Sequence, residues 1–332
     1  MSGLATDSRA RVLEEIRGGE RFLLVTHEHP DGDAIGSLVA MHGILRALGK
    51  DSLMFIAPSE LPLPLEYRWV DLDGMVSEPP ADLDCRTVIF LDCGNIDRTP
   101  VHAVRNDGSH ILNLDHHHDN TLFGDVDHVV PEASCTAEIV WDLMRELGVR
   151  PTKELAEALY VGLVTDTGRF MYENTGPRAH LMAADLIEAG VESDVIYRRL
   201  YEGMPYAKIE LLGRALSHVR RHEDGRLTMT VLDRTDFDVT GADDSFAEGV
   251  IDHLRSVEGT KVAAFVRHLP GGDPAHPRKK TSLRSTDGEV DVSAIAREAG
   301  GGGHRQAAGF TTAMSEDEIL VFLREQIAAQ LG

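Results

Sequence analysis

Aspartate and histidine recur in this chain where short apolar runs end, which is where side chains able to hold a metal ion or move a proton can meet a ligand. The run Ile111 to Leu114 passes into Asp115-His116-His117-His118, and the run Arg21 to Thr26 passes into His27-Glu28-His29-Pro30-Asp31-Gly32-Asp33. A third run, Thr87 to Leu91, is the strongest strand signal in the chain because it is β-branched and apolar, and it ends at Asp92-Cys93-Gly94. A further carboxylate, Asp166, follows the apolar helical stretch 152–164 and precedes Gly168. A carboxylate at a helix C-terminus is disfavoured by the helix dipole, so Asp166 calls for a cation. Carboxylate and imidazole donors suit Mn²⁺, with Mg²⁺ or Co²⁺ as substitutes. The Asp31-x-Asp33 spacing lets two carboxylates diverge towards different ions. His29 and His118 read as surface histidines, and Cys93 as a small buried residue.

These clusters need elements that deliver them to one place. Strands ending in acids or imidazoles, separated by helical patterns, predict an α/β domain whose mainly parallel sheet is flanked by helices, with ligands at the carboxyl ends of the strands. The residues 34–48 recur at helical spacing and stop at Gly49. Ser134 reads as the N-cap of a packing helix with Glu138 in its first turn. Helices dominate 178–219, and a new strand series begins at Leu227 and continues through 262–266, 281–283 and Phe310, with helices over 245–257, 292–298 and 316–329. The expected organisation is a catalytic domain over 1–190, a helical linker over 191–220 and a smaller α/β domain over 221–332. In the latter, Gly300-Gly301-Gly302-Gly303-His304-Arg305 reads as a loop whose backbone N–H groups cradle a phosphate. From Arg267 to Arg305, seven basic against five acidic residues give +2.

That local sign stands out because the whole chain of 332 residues carries 33 basic and 55 acidic side chains, a formal charge of -22. Such a field repels long duplex DNA, so a nucleic-acid substrate must be short or locally gripped. Three cysteines without CxxC spacing fit a reduced cytoplasm, and the polar character of residues 1–20, with no uninterrupted apolar run of membrane-spanning length, leads us to expect neither secretion nor membrane spanning.

Taken together, His27-x3-Asp31-x-Asp33, Asp92, Asp115-His116-His117, Asp166 and the distant glycine loop resemble the DHH/DHHA1 phosphoesterases, nearest to the group of oligoribonucleases, 3'-phosphoadenosine 5'-phosphate (pAp) phosphatases and cyclic di-AMP phosphodiesterases. The resemblance covers nearly the whole chain. It implies a DHH domain followed by a DHHA1 domain, and two Mn²⁺ ions, one held by His27, Asp31 and Asp92 and the other by Asp33, Asp92, His116 and Asp166. Paired ions can lower the pKa of water and clamp phosphoryl oxygens. Asp115 would orient the imidazoles, and His117 would face substrate, either protonating the leaving oxygen or contacting phosphate. Arg267, Arg284, Ser285, Gly301, Gly302, Gly303 and His304 would receive the substrate's phosphate or nucleotide. Short RNA, pAp or a cyclic dinucleotide would be the substrate and a homodimer the assembly. Two rival readings are a family II inorganic pyrophosphatase, to which Arg278-Lys279-Lys280 is slightly similar, and a regulator that binds a cyclic dinucleotide without cleaving it.

Overall fold

The computed structural model describes residues 2–99, 108–271 and 278–332, which form two compact units, Met1–Gly203 and Met204–Gly332. In the first unit α1 (Ser2–Gly18) leads into β1 (Arg21–Val25), α2 (Gly32–Ala47), β2 (Asp51–Phe55), β3 (Met75–Val76), β4 (Thr87–Leu91), β5 (Ile111–Asp115) and β6 (Val126–Val129). Helices α3 (Thr136–Glu146), α4 (Lys153–Asp166), α5 (Pro177–Glu188) and α6 (Ser193–Tyr201) complete it. The strands lie in the order β3-β2-β1-β4-β5-β6 and every pairing is parallel. The chain therefore winds outward from β1 to β3, then returns beside β1 as β4 and winds the other way. At such a switch point the loops leaving the two central strands part, and open α/β sheets bind their ligands in the crevice between them.

Both faces of this sheet are buried, which is why its strands are continuous apolar runs rather than alternating ones. Phe22, Leu24, Ile89, Leu91, Leu112 and Leu114 join the core built with α2, α3 and α4, whereas Leu23, Val25, Phe55, Val88 and Phe90 form a second core on the other face. Each such side chain, fully buried, contributes about 1.5–3 kcal/mol relative to exposure. Glycines set the spacing of the helices over the first face. A Cβ on Gly36 would lie 2.4 Å from the Ala158 carbonyl oxygen, and one on Gly162 would lie 2.7 Å from both Ala137 Cβ and Asp33 Oδ1. With no side chains there, α2 and α4 touch along their backbones, and the first turn of α2 meets the last turn of α4.

The second unit runs α7 (Tyr206–Ser217), β7 (Arg220–His222), β8 (Leu227–Leu232), α8 (Arg234–Thr240), α9 (Val250–Arg255), β9 (Val262–His268), β10 (Lys279–Ser285), α10 (Val292–Glu298), β11 (Gly302–His304), β12 (Ala307–Thr312) and α11 (Glu316–Leu331). Its sheet, in the order β11-β12-β10-β9-β8-β7, is antiparallel except for the β8–β9 pair. Ile295 and Ala296 of α10 and Ile319, Leu323 and Ile327 of α11 cover one face. Leu211, Phe237 and Leu254, from α7, α8 and α9, pack on Ala263 and Phe265 on the other.

The helical stretch expected as a linker over 191–220 is divided between the units: Ile196 and Leu200 of α6 are buried in the first core, and Leu211 and Ala215 of α7 in the second unit's core. The single helix expected over 245–257 is broken at Gly249, whose φ of +87° puts a left-handed residue between a short 3-10 turn and α9. The expected glycine loop is in large part the edge strand β11, with Gly302, Gly303 and His304 opposite Gly309, Ala308 and Ala307. A Cβ on Gly301 would meet the Gly309 carbonyl oxygen at 2.2 Å, and one on Gly303 would meet that of Ala307 at 2.5 Å. These two glycines serve close packing of a hairpin.

Candidate metal centre

At the switch point the exits of β1, β4 and β5 deliver their acids and imidazoles to one place. Asp92 is at its middle. It takes a left-handed φ of +59° while its N–H still donates to the Leu114 carbonyl, so the strand turns sharply without leaving the ladder. A non-glycine residue in that region is a local cost that clusters at functional sites. Its carboxylate is 2 % exposed, with Oδ2 3.6 Å from His27 Nε2 and Oδ1 3.6 Å from His116 Nε2. Burial pushes the Asp92 carboxyl up, but the facing His27 imidazole and the charges of His117 and His116 outweigh it and bring it down to about 2.

The ring of His27 is oriented from behind. Its Nδ1 lies 2.7 Å from the Glu28 carbonyl oxygen, which can only accept, so Nδ1 carries the proton and Nε2 is turned to Asp92. Asp31 caps α2: its Oδ1 accepts from the N–H groups of Asp33 and Ala34 at 3.0 and 3.1 Å, fixing the carboxylate against His27 and Asp92. Asp33, in the first turn of α2, is 1 % exposed and is held by the start of α3, accepting from Thr136 N–H at 2.6 Å and Ala137 N–H at 2.9 Å. Asp166 closes α4, with Oδ2 3.8 Å from His116 Nε2. Burial and then the charges of Asp92, Asp166 and Asp31 raise Asp33 well above the usual carboxylate range. Burial also lifts Asp166 to about 6, against the opposing charge of His116.

Mutually repelling buried carboxylates with imidazoles among them are what a divalent cation would relieve. Three sets of ligand atoms each lie within 4.8 Å of one another: His27, Asp31 and Asp92; Asp33, His116 and Asp166; and Asp92, His116 and His117. The third set is set apart by a prior engagement. His117 turns Nδ1 towards Asp92 at 3.7 Å, but the same nitrogen is only 2.7 Å from Asp115 Oδ1. The donors that remain form two sets with Asp92 between them.

Asp115 is fully buried and does not reach these sets. Its Oδ1 accepts from His116 N–H and pairs with His117, and its Oδ2 accepts from Asn120 Nδ2 at 2.6 Å. Asn120 is itself held by Asn113, whose Nδ2 donates to Asn120 Oδ1 and Asp127 Oδ1, both at 3.0 Å. The Asp115 hydrogen bond, working against burial, raises His117 to about 9. His117 thus has its Nδ1 proton engaged and its Nε2 face directed elsewhere. His118 is exposed, and His29, also exposed, pairs with Glu60. Cys93 is buried and donates to the Asn95 carbonyl; burial lifts its thiol to about 12, as suits a packing residue.

Some contributors carry no signal in the sequence that singled them out. The α3 start was read as packing with Ser134 as N-cap; the cap is Cys135, and the freed N–H groups of Thr136 and Ala137 bind Asp33 while Thr136 Oγ1 donates to Asp92 Oδ1 at 3.0 Å. Asn174 donates through Nδ2 to Asp166 Oδ2 at 3.1 Å, to the Asp166 carbonyl at 3.1 Å and to the Ser134 carbonyl at 2.8 Å, joining the end of α4 to the approach to α3.

In the second unit, Lys280 is directly opposite Arg267, and strand alternation sets Arg284 on the same face of β10 as Lys280. Arg267 Nη1 donates to the Asp244 carbonyl at 2.7 Å, and Arg284 Nη1 to the Leu283 carbonyl at 3.1 Å, leaving further donors on each guanidinium. Ser285 falls on the opposite face, 1 % exposed, with its Oγ accepting from Gly288 N–H, so it does not join that basic face. Gly302 and His304 are in register with Gly309 and Ala307; the side chain of His304 lies outside the described residues.

Residues 21–163 match the DHH family, N-terminal domain, and residues 237–329 match the DHHA1 domain. The chain is 34% identical over 327 residues to the bifunctional oligoribonuclease and PAP phosphatase NrnA of Thermus thermophilus, covering 96% of this chain and 93% of that protein. It is 27% identical to the protein of the same name from Bacillus subtilis, with 91% and 92% covered. In fold it is similar to an exopolyphosphatase-related protein from Bacteroides fragilis, with a TM-score of 0.87, 22% identity, and 99% and 98% of the two chains covered.

Proposed function

The chain belongs to the DHH family, its DHH domain followed by a DHHA1 domain, and on that footing we propose that it is a divalent-metal-dependent phosphoesterase of short nucleotides. Its substrates in this reading are di- to pentaribonucleotides cut to mononucleotides, pAp cut to AMP, and cyclic di-AMP opened and cut to AMP through pApA. The single observation that carries the reading is Asp92, standing 3.6 Å from His27 on one side and 3.6 Å from His116 on the other. One carboxylate whose two oxygens face two donor sets would be placed to serve a pair of ions.

His27, Asp31 and Asp92 would hold one ion, and Asp33, Asp92, His116 and Asp166 the other, with Mn²⁺ first among candidates. When bound, the ions would supply Lewis-acid polarisation of phosphoryl oxygens and a water of lowered pKa. The chain's own residues do the rest. Asp115 fixes the plane of His117 and favours its imidazolium form, so His117 would stand ready to donate a proton to the departing oxygen. Thr136 Oγ1 and the α3 N–H groups keep Asp92 and Asp33 from rotating away. In the second unit, Arg267 and Arg284 offer phosphate-binding donors, Arg being suited to bidentate contact with phosphate oxygens. Among the described residues no helix is long and apolar enough to cross a membrane. The reading extends to a homodimer in the cytoplasm, for which sedimentation of the purified chain is the check.

The decisive assay sets pApA, longer short RNAs, pAp, cyclic di-AMP and pyrophosphate side by side with Mn²⁺ and quantifies products by chromatography. Release of AMP from the nucleotide substrates is expected, abolished in Asp92→Ala. Preference for pyrophosphate would overturn the reading in favour of a pyrophosphatase, and binding of cyclic di-AMP without turnover would make the protein a regulator.

A further inference from the structure

Arg98 closes the short turn Ile96–Arg98 that follows β4, and its backbone is tied to both strand exits at the switch point. Asn95 caps the turn by accepting from Asp97 N–H at 2.9 Å, the Cys93 thiol donates to the Asn95 carbonyl at 3.1 Å, and Glu28 N–H donates to the Arg98 carbonyl at 2.7 Å. The side chain is thereby held beside His27, with Nη2 3.3 Å from His27 Nδ1.

That contact gives the guanidinium no acceptor. The Nδ1 proton of His27 goes to the Glu28 carbonyl at 2.7 Å, so the nitrogen has no lone pair to offer. Among the described residues no hydrogen bond or ion pair joins the Arg98 guanidinium to a carboxylate or a carbonyl. Such isolation is unusual in a chain with 55 acidic side chains against 33 basic. Arg86 and Arg178 of the same unit each bridge two carboxylates. A partly exposed guanidinium whose donors the protein leaves unclaimed is placed to meet an anionic ligand.

We propose that Arg98 binds the non-bridging oxygens of the phosphoryl group that reacts beside His27 and Asp92, an assignment that rests on the phosphoesterase reading above. The chemistry favours it. Asp31, Asp33, Asp92 and Asp166 converge on the site, and even with cations among them an incoming phosphate needs a partner that cannot lose its charge. A guanidinium remains protonated throughout and presents parallel donors to two phosphate oxygens. No bond is made or broken by Arg98 itself. Its contribution grows as charge accumulates on those oxygens during displacement, so it is felt in turnover as well as in binding.

The test compares the Mn²⁺-loaded wild type with Arg98→Ala and Arg98→Lys, each checked for an unchanged unfolding midpoint and Mn²⁺ affinity. On pApA, Arg98→Ala is expected to lose about 10²–10³-fold in kcat/KM, the size seen when one donor to a developing oxyanion is removed. Arg98→Lys should recover part of that loss, and added guanidinium should rescue the alanine variant but not the lysine one. In parallel, calorimetric titration with AMP should show weaker binding to Arg98→Ala than to wild type. Turnover within threefold of wild type, or a loss accompanied by weakened Mn²⁺ affinity and no guanidinium rescue, would overturn the proposal and leave Arg98 as support for His27. If the wild type cleaves no nucleotide yet AMP binding still depends on Arg98, the phosphate contact stands and the phosphoesterase reading falls.

Discussion

Asn120 shows how the candidate site depends on residues outside its two donor sets. Its 2.6 Å bond to Asp115 Oδ2 leaves the other oxygen of that buried carboxylate to His117. Asn120→Ala would leave Asp115 with an unsatisfied buried oxygen and only its Oδ1 contacts to fix its plane, so kcat on short RNA should fall about 10–100-fold, the usual cost of losing an orienting partner. KM should change little, and steady-state kinetics that show the reverse pattern would assign Asn120 to substrate binding. His117 itself predicts a pH dependence of stability in chelator-treated protein. Its folded pKa, about 9, lies above the ordinary 6.5. The stabilisation is therefore complete below pH 6.5 and is lost as pH rises towards 9, the sense required when the folded state holds its proton more tightly. Calorimetry across that window should show a falling midpoint that flattens in His117→Gln; an equal slope in both proteins would refute the assignment. At this scale the acids and imidazoles were legible because few other roles explain so many of them at strand ends. Asn113, Asn120 and Asn174 were not, because an amide gains its meaning only from the partner that folding brings to it.

At the scale of elements, the crossing of α2 and α4 places Asp33 and Asp166 in the same ligand set. Gly162→Ala would press a methyl group into Ala137 Cβ and Asp33 Oδ1, each 2.7 Å away. The helices must then separate, and overpacking of this kind costs about 1–3 kcal/mol. The expected outcome is a lower unfolding midpoint together with weaker Mn²⁺ binding by calorimetric titration; a stability loss with unchanged Mn²⁺ affinity would show that the crossing does not set the ligand distance. Strand and helix positions were largely readable from apolar runs, periodicity and caps, as Thr87–Leu91 and Val292–Glu298 illustrate. The glycines of the crossing were not, since nothing local distinguishes a glycine that admits another helix from one that merely lowers helix propensity. The run before His304 misled in the same way: its lack of side chains answers to the neighbouring strand β12, which leaves less of it as a free anion-binding loop.

At the scale of the molecule, the first unit of 203 residues carries the whole candidate metal centre, so its stability should follow metal concentration. Mn²⁺ at about a hundred times its dissociation constant adds about 2.7 kcal/mol. That corresponds to a rise of very roughly 5–11 °C in the midpoint of a unit this size. A scan with and without chelator tests this, and no shift with saturating Mn²⁺ would remove the site. The division into an α/β domain and a smaller α/β domain was legible from the renewed strand pattern after Leu227, whereas the boundary at Gly203 was not, because the helices on either side of it look alike in sequence and differ only in which core they enter. The switch point carries one more consequence. His27, Asp31 and Asp33 belong to the β1 side of the parallel sheet, and Asp92 and His116 to the β4–β5 side. An ion shared by both sides would act as a staple across the central seam, opposing the local parting of β1 from β4. Amide hydrogen exchange should accordingly slow in those two strands more than in β2 or β6 when Mn²⁺ is added, making the protein's breathing, as well as its chemistry, a readout of the ion.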